Sequence, residues 1–362
     1  MALISDYLTE KGDIPFSELP FNEVDNYVIT KIVNPDYSRV LPPEGEAVRL
    51  REALEAYFSL YGGEGSFQGV LASPGINACL RRLPELRRYC HLMLSGYVRR
   101  ILPSRTEQFS ALTVTLPGSW SYVSFRGTDD TLLGWKENFL MSVGKVEAQA
   151  DAAAYLTAAA DRVPEPLIVG GHSKGGNLAV YAAAMASPEV QDRITRVYNN
   201  DGPGFLPEFY EEPGYLRIRP KIHTLLPQNT LVGTLLTREK WASVVKSTRW
   251  GPAAHDGFTW EVRDTAFVRC PNLSPSSRAF EETMDRVLAN MDPAQRREFT
   301  EELFDALAAT GADTVTEVSE QNLYQALETA GSFRKGTGTK RFVLEVIREM
   351  LRAYTIQRLG LE

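Results

Sequence analysis

The side chains best suited to covalent chemistry sit in one stretch, VGGHSKGGNLA (169–179), where four glycines crowd a single serine. Gly171-His172-Ser173-Lys174-Gly175 fits the pattern G-x-S-x-G, with an apolar run before it and an alanine-rich run after it. The pattern has a physical reason. A serine on a sharp strand-to-helix turn holds a strained backbone, and only neighbours without Cβ atoms let strand and helix approach closely enough. The turn raises Ser173 Oγ above the end of the strand and aims helix-terminal N–H groups at the oxygen of a carbonyl under attack. The chemistry this permits is nucleophilic acyl transfer; the alternative is a structural turn.

A nucleophilic serine needs a base, and the chain has four histidines. His172 lies inside the turn, where its ring points away from the serine and reads as a packed residue. His91 falls in a helical segment ahead of the sheet, and His223 in the strand run KIHTLL, where alternation can bury it. His255, in the loop GPAAHDGFTW, stands where the chain order serine, acid, histidine puts a base. The acid then belongs between Ser173 and His255. Asp192 and Glu189 fall on a polar helical edge, and Glu208, Glu211 and Glu212 in a solvated loop. Asp201 ends the strand run RVYNN, at the same carboxyl edge as Ser173, and is the expected acid, with an Asx-turn as its structural alternative. Asp256 is the reserve, although its adjacency to His255 makes a hydrogen bond to that ring awkward. A strand ending SFRGT beside the nucleophile strand can offer the Thr128 N–H, and its hydroxyl, to an oxyanion.

These residues have to be positioned by alternating elements. Periodicity predicts helices over 44–61 and 76–98, then two β-rich runs within 111–130 around Pro117-Gly118-Ser119. Helices follow over 132–143 and 146–163, a buried strand over 166–171 and a helix over 175–187. Strands over 196–200, 221–227, 243–250 and 259–270 complete the β-rich part. Strands alternating with helices indicate an α/β fold with a largely parallel sheet. From about 274 the pattern is helical only: one run over 274–291, and a second capped by Asp292, with Pro293 in its first turn and Gly311 at its end. A last amphipathic segment covers 339–359. The expected division is a hydrolase-like body over 20–272 and a helical extension over 273–362 packed on it.

The motifs VSFRGTDDTLLGWKENF and GGHSKGGNLAVYAAA resemble those of class 3 lipases. Taken together, GHSKGGNLAVYAA, YNNDGPGF, LLPQNTLVGTLL and HDGFTW are similar to the Mbeg1-like branch of α/β-hydrolases, over roughly residues 20–360. The resemblance implies an α/β-hydrolase fold, Ser173 as nucleophile, and an oxyanion hole from Thr128 and Lys174. Class 3 lipases carry their acid in a stretch that falls here on Thr230-Leu231-Val232-Gly233, which has no carboxylate; this favours transfer of the role to Asp201.

Composition bounds the rest. The 362 residues are 43% hydrophobic and 23% charged, with a net charge of −7, as in a globular protein with a sizeable core. Lysines and arginines are scattered, giving no sign of nucleic-acid binding. No apolar run is long enough to span a bilayer, and MALISDYLTEKGDIPF lacks the basic start and apolar core of a secretory signal. Three widely spaced cysteines argue against a disulfide framework or a cysteine-based metal site and favour a reducing, cytoplasmic setting. The expected activity is cleavage of a small or lipid-like carboxylic ester by a serine triad, with no metal or cofactor. The alternatives are an amidase or peptidase using the same groups, or a hydrolase-like interaction module. Leu231, Val232, Leu235, Leu236 and Trp241 form an acyl pocket, a lid or ordinary core.

Overall fold

The computed structural model describes residues 1–312 apart from 43–45, 63–73, 103, 105, 129–130, 239–240, 290 and 309–310. The expected helix over 339–359 lies outside the described residues.

Two helices, α1 (Ile4–Lys11) and α2 (Glu23–Ile32), open the chain, and Asn22 caps α2 by accepting from the Val24 and Asp25 N–H groups. A short β1 (Val48–Arg49), α3 (Leu50–Tyr61) and α4 (Pro74–Arg82) lead into the antiparallel strands β2 (Met93–Leu102), β3 (Glu107–Leu116) and β4 (Trp120–Phe125). Then come α5 (Leu132–Leu140), α6 (Glu147–Arg162), β5 (Leu167–His172), α7 (Lys174–Met185), α8 (Pro188–Arg193) and β6 (Ile194–Asn200). The chain continues through α9 (Pro213–Ile218), β7 (Ile222–Pro227), β8 (Ser243–Val245) and the small hairpin β9 (Val262–Arg263) and β10 (Ala266–Phe267). The last elements among the described residues are α10 (Pro275–Ala289) and α11 (Pro293–Ala308).

Among the described residues, eight strands of the main sheet stand in sequence order, β1 to β8; β1–β4 pair antiparallel and β4–β8 pair parallel. Parallel neighbours that always advance the same way, joined by right-handed crossovers, place their connecting helices on one face. The core shows the consequence. Val123, Leu167, Val169 and Val197 pack with residues of α6, α7 and α9. Their strand neighbours Tyr122, Ile168 and Tyr198 point the other way and pack with α1–α4 through Ile4, Tyr27, Leu54 and Leu80. The N-terminal helices are therefore the second layer over the sheet, and one face would be bare without them.

Three segments differ from the expected elements. Residues 93–98 belong to β2 rather than to a helix, since a short mixed apolar run fits both periods. Residues 48–49 pair with β2 before α3 begins. The β-rich ends shrink to three residues in β8 and to a two-residue hairpin in β9–β10. At the far end, α11 packs on α5 through Phe304 against Phe139, with ring centroids 5.5 Å apart, and Arg296 Nη1 donates to the Ser142 carbonyl at 2.9 Å. In α10, Glu281 accepts two hydrogen bonds from Arg238, at 2.5 and 3.0 Å.

Candidate active site

Ser173 terminates β5 and caps α7 with φ 59° and ψ −134°, a conformation L-residues avoid at a cost of about 1–3 kcal/mol. Local packing holds it there. A Cβ at Gly171 would overlap the Gly175 backbone, and one at Gly175 would overlap the Phe125 carbonyl, so the strand–helix approach depends on both glycines. The Ser173 N–H donates to the Asn200 carbonyl at 2.9 Å, tying the turn to β6. Gly127 closes the opposite side: a Cβ there would lie 3.1 Å from Ser173 Cβ, which brings the segment carrying Thr128 against the serine.

Asp201 follows β6 with φ 53°, a left-handed conformation that aspartate tolerates better than most residues. Its carboxylate is fully buried. Oδ2 accepts from His255 Nδ1–H at 2.5 Å and Oδ1 accepts from the Thr230 hydroxyl at 2.5 Å. Burial pushes the Asp201 carboxyl above its ordinary range; the His255 ring and the Thr230 hydroxyl act in the opposite direction. With Nδ1–H given to Asp201, the His255 ring carries its free lone pair on Nε2, which is buried and has no hydrogen-bond partner among the described residues. Asp256 has a different position: its Oδ1 accepts from the Phe258 N–H at 3.1 Å and caps the turn after His255. Gly233 completes the acid's surroundings, because a Cβ there would run into Asp201 Oδ1 and Leu226.

Strand alternation sends His172 to the face covered by α2. Its Nε2–H donates to the His255 main-chain carbonyl at 2.7 Å, and the two imidazoles lie 4.3 Å apart at 36°. Burial, then the Lys31 ammonium, hold His172 well below the ordinary histidine range, so the ring is neutral. Tyr27 of α2 meets that ring edge-on at 5.5 Å, and its hydroxyl accepts from the Gly257 N–H at 2.7 Å. One residue earlier, Asn26 Nδ2 donates to Asn200 Oδ1 at 2.8 Å, and Asn200 Nδ2 donates to the Gly171 carbonyl at 2.9 Å. Helix α2 thus braces both the serine turn and the histidine loop.

The Lys174 side chain turns away from the serine into a buried ion pair. Nζ donates to Glu137 Oε2 at 2.7 Å and to the Gln108 carbonyl at 2.6 Å. The Thr128 hydroxyl is held by Asn138 Nδ2 at 2.7 Å. The remaining histidines lie elsewhere: His223 is exposed and stacks on Tyr198 at 5.1 Å, and His91 is exposed. Trp241 precedes β8, at the opposite edge of the sheet from Ser173, with the Arg219 guanidinium 3.9 Å over its ring. It belongs to no acyl pocket or lid at the serine.

Sequence reasoning missed Thr230, Glu137, Asn138 and Tyr27. Only Thr230 carried a signal: it occupies the stretch in which class 3 lipases carry their acid, and its hydroxyl donates to the Asp201 carboxylate.

The model of the Mbeg1-like family matches residues 83–305. The chain belongs to the Mbeg1-like family. Helix α2 lies ahead of the matched region, so the brace on the serine turn comes from outside it. Among solved structures, this Mbeg1-like chain is similar to M37 lipase at 12% identity, over 67% of this chain and 81% of that one, with a TM-score of 0.34. It is similar to the native Rhizomucor miehei lipase propeptide complex at 15% identity, over 69% and 82%, with a TM-score of 0.32. No curated protein matches it. The parallel strands, the crossover helices and the strained serine turn, rather than these distant likenesses, make the fold that of an α/β-hydrolase. Among the described residues no helix is long and apolar enough to cross a membrane.

Proposed function

We propose that this protein is a serine hydrolase that cleaves carboxylic esters. The observation that carries the reading is the buried Asp201–His255 pair, 2.5 Å apart, with an unpartnered Nε2 at the edge of the sheet where Ser173 is held in a strained turn. In this reading Ser173 Oγ attacks the ester carbonyl while its proton passes to His255 Nε2. Asp201 holds the imidazole in the tautomer that leaves Nε2 basic and stabilises the imidazolium that forms. The backbone N–H groups of Thr128 and Lys174 receive the developing oxyanion. Collapse of the tetrahedral intermediate breaks the C–O bond, and His255 returns the proton to the departing alkoxide. Water then repeats the sequence on the acyl-enzyme, releasing the acid and restoring Ser173. Every proton and charge in the cycle is handled by groups of this chain, so neither metal nor cofactor enters the proposal.

The division into a body over 20–272 and a helical extension over 273–362 belongs to the same reading. It is supported by the packing of α11 on α5, the helix after the Thr128 segment. The test is a fluorophosphonate probe with short p-nitrophenyl esters. Wild type should be labelled and should turn over ester, and Ser173→Ala should do neither while keeping its melting temperature. A Ser173→Ala protein with full esterase activity would end the reading.

A further inference from the structure

Helix α5 lies between the segment that carries Thr128 and helix α11, and its two sides meet different partners. The helical repeat puts Gly134, Glu137 and Asn138 on one side, and Lys136 and Phe139 on the opposite one. The first side rests on the residues of the proposed oxyanion hole. A Cβ at Gly134 would lie 2.8 Å from Thr128 Cγ2, so the helix backbone is in contact with that side chain. The Asn138 amide meets the Thr128 hydroxyl with Nδ2 at 2.7 Å and Oδ1 at 3.1 Å. Glu137 Oε2, one residue earlier, accepts from Lys174 Nζ at 2.7 Å. Adjacent residues of one helix thus fasten both residues whose backbone N–H groups are to receive the oxyanion.

The second side faces the helical extension. Phe304 of α11, only 5% exposed, meets Phe139 edge-on with ring centroids 5.5 Å apart. Arg296 Nη1, on the same helix, donates at 2.9 Å to the carbonyl of Ser142, just past the end of α5. Lys136 also stands 3.7 Å from Asp305, but that carboxylate is solvated, so the ring contact is the stronger hold. A helix this short shifts as one body, and a displacement at Phe139 reaches Asn138 and Glu137. Misplacing a catalytic donor by about 1 Å can cost about 10²-fold in rate.

We propose that α11 sets the geometry of the oxyanion hole through α5, with Phe304 as a positioning residue, so that the hydrolase needs its helical extension for turnover as well as for stability. The proposal rests on the serine-hydrolase reading and deepens it by a residue far from the triad in sequence.

The experiment measures kcat and KM for p-nitrophenyl acetate, and the rate of fluorophosphonate labelling, on the full chain well below the melting temperature of each variant. Phe304→Ala should lose at least about tenfold in kcat with KM within about twofold, since the oxyanion exists only in the transition state. Labelling should slow by a similar factor, because the phosphonyl oxygen enters the same hole. Phe304→Leu, which keeps an apolar side chain between the helices, should fold as wild type does and lose about threefold in kcat. Asn138→Leu should lose at least about tenfold, and the Phe304→Ala/Asn138→Leu pair should fall short of the product of the two losses by at least about threefold, because both changes reach the same donors. A kcat within about 1.5-fold of wild type in Phe304→Leu, or within about twofold in Phe304→Ala, overturns the proposal even if the melting temperature drops. Losses that multiply in full overturn it too. Should Phe304→Ala not fold, Phe304→Leu alone decides. A wild type that neither labels nor turns over ester overturns the serine-hydrolase reading itself, whereas an active, labelled wild type with unmoved variants overturns only the role of α11.

Discussion

Glu137→Leu offers the sharpest test of how the serine turn is held. The carboxylate and the Lys174 ammonium are 2.7 Å apart, with side chains only 1% exposed on either partner. Glu137 also accepts from the Gln108 N–H at 3.1 Å and the Ala148 N–H at 3.3 Å, so one side chain ties β3, α6 and the first residue of α7. Removing it leaves a buried ammonium with the Gln108 carbonyl as its remaining partner, together with two orphaned amides. Breaking one side of such a pair costs about 3–5 kcal/mol, and the orphaned amides push the value to the upper end. At about 1.3 °C per kcal/mol for a chain of 362 residues, the melting temperature should fall by roughly 5–7 °C. Glu137→Leu/Lys174→Met removes both charges, and replacing a whole buried pair by apolar groups is often close to neutral. The double variant should therefore recover more than half of the loss, giving a coupling energy of at least about 2 kcal/mol. Equilibrium urea unfolding of the four proteins reads all of this. A Glu137→Leu cost below about 1 kcal/mol, or a double variant as unstable as the sum of the singles, would refute the reasoning.

Three further outcomes are expected. Asp201→Asn should lower kcat by on the order of 10³–10⁴-fold because the wrong His255 tautomer results, whereas Asp256→Asn should stay within about threefold; steady-state ester kinetics compare them. His172→Gln, whose amide can still reach the His255 carbonyl, should keep kcat within about threefold, while His172→Leu should lose at least about tenfold with KM nearly unchanged; equal kcat values in the two variants would show that the hydrogen bond at 2.7 Å does not position the base. Lys31, buried against the Tyr27 ring at 4.6 Å, is lowered by burial from 10.5 to about 7, with Asp256 and Cys79 acting in the opposite direction. Between those values the unfolded chain binds the proton and the folded chain does not, so this group makes stability rise with pH from about 7 to 10.5 and counts fully against folding below 7. Lys31→Met should flatten that slope and stabilise the protein near pH 7 by on the order of 3–4 kcal/mol; urea midpoints that keep the wild-type pH slope would contradict it.

What the sequence made legible was local. The serine turn could be read because its requirements, glycines that let Gly171 and Gly175 approach, fall within five residues of Ser173. The choice of Asp201 and His255 used chain order, the edge of the sheet, elimination of the other histidines and the missing carboxylate at 230–233. Elements with one clear period were found, whereas residues 93–98 were misread because their apolar spacing fits a helix and a strand equally well. Glu137 was not legible, since a carboxylate in an ordinary-looking segment gains its meaning only from a partner 37 positions away.

The hidden part of the site still obeys a rule that strand parity supplies. Ile168 and Tyr198 face the N-terminal helices, so His172 and Asn200, at even spacing along the same strands, must face them too. An asparagine at the buried end of a strand is expensive without partners, at about 1–3 kcal/mol for each unsatisfied group. Asn200 is fully buried, and it therefore requires an amide or hydroxyl from whatever covers that face. Asn26 meets that requirement across 174 positions, and Tyr122 donates its hydroxyl to Asn26 Oδ1 at 2.7 Å, completing the exchange. Because Asn200 also accepts from the Ser173 N–H through its carbonyl, the polar demand at the end of β6 and the strain in the serine turn are met by one helix. The segment least remarkable in composition is thus the one that makes the strained turn and the histidine loop share a single support.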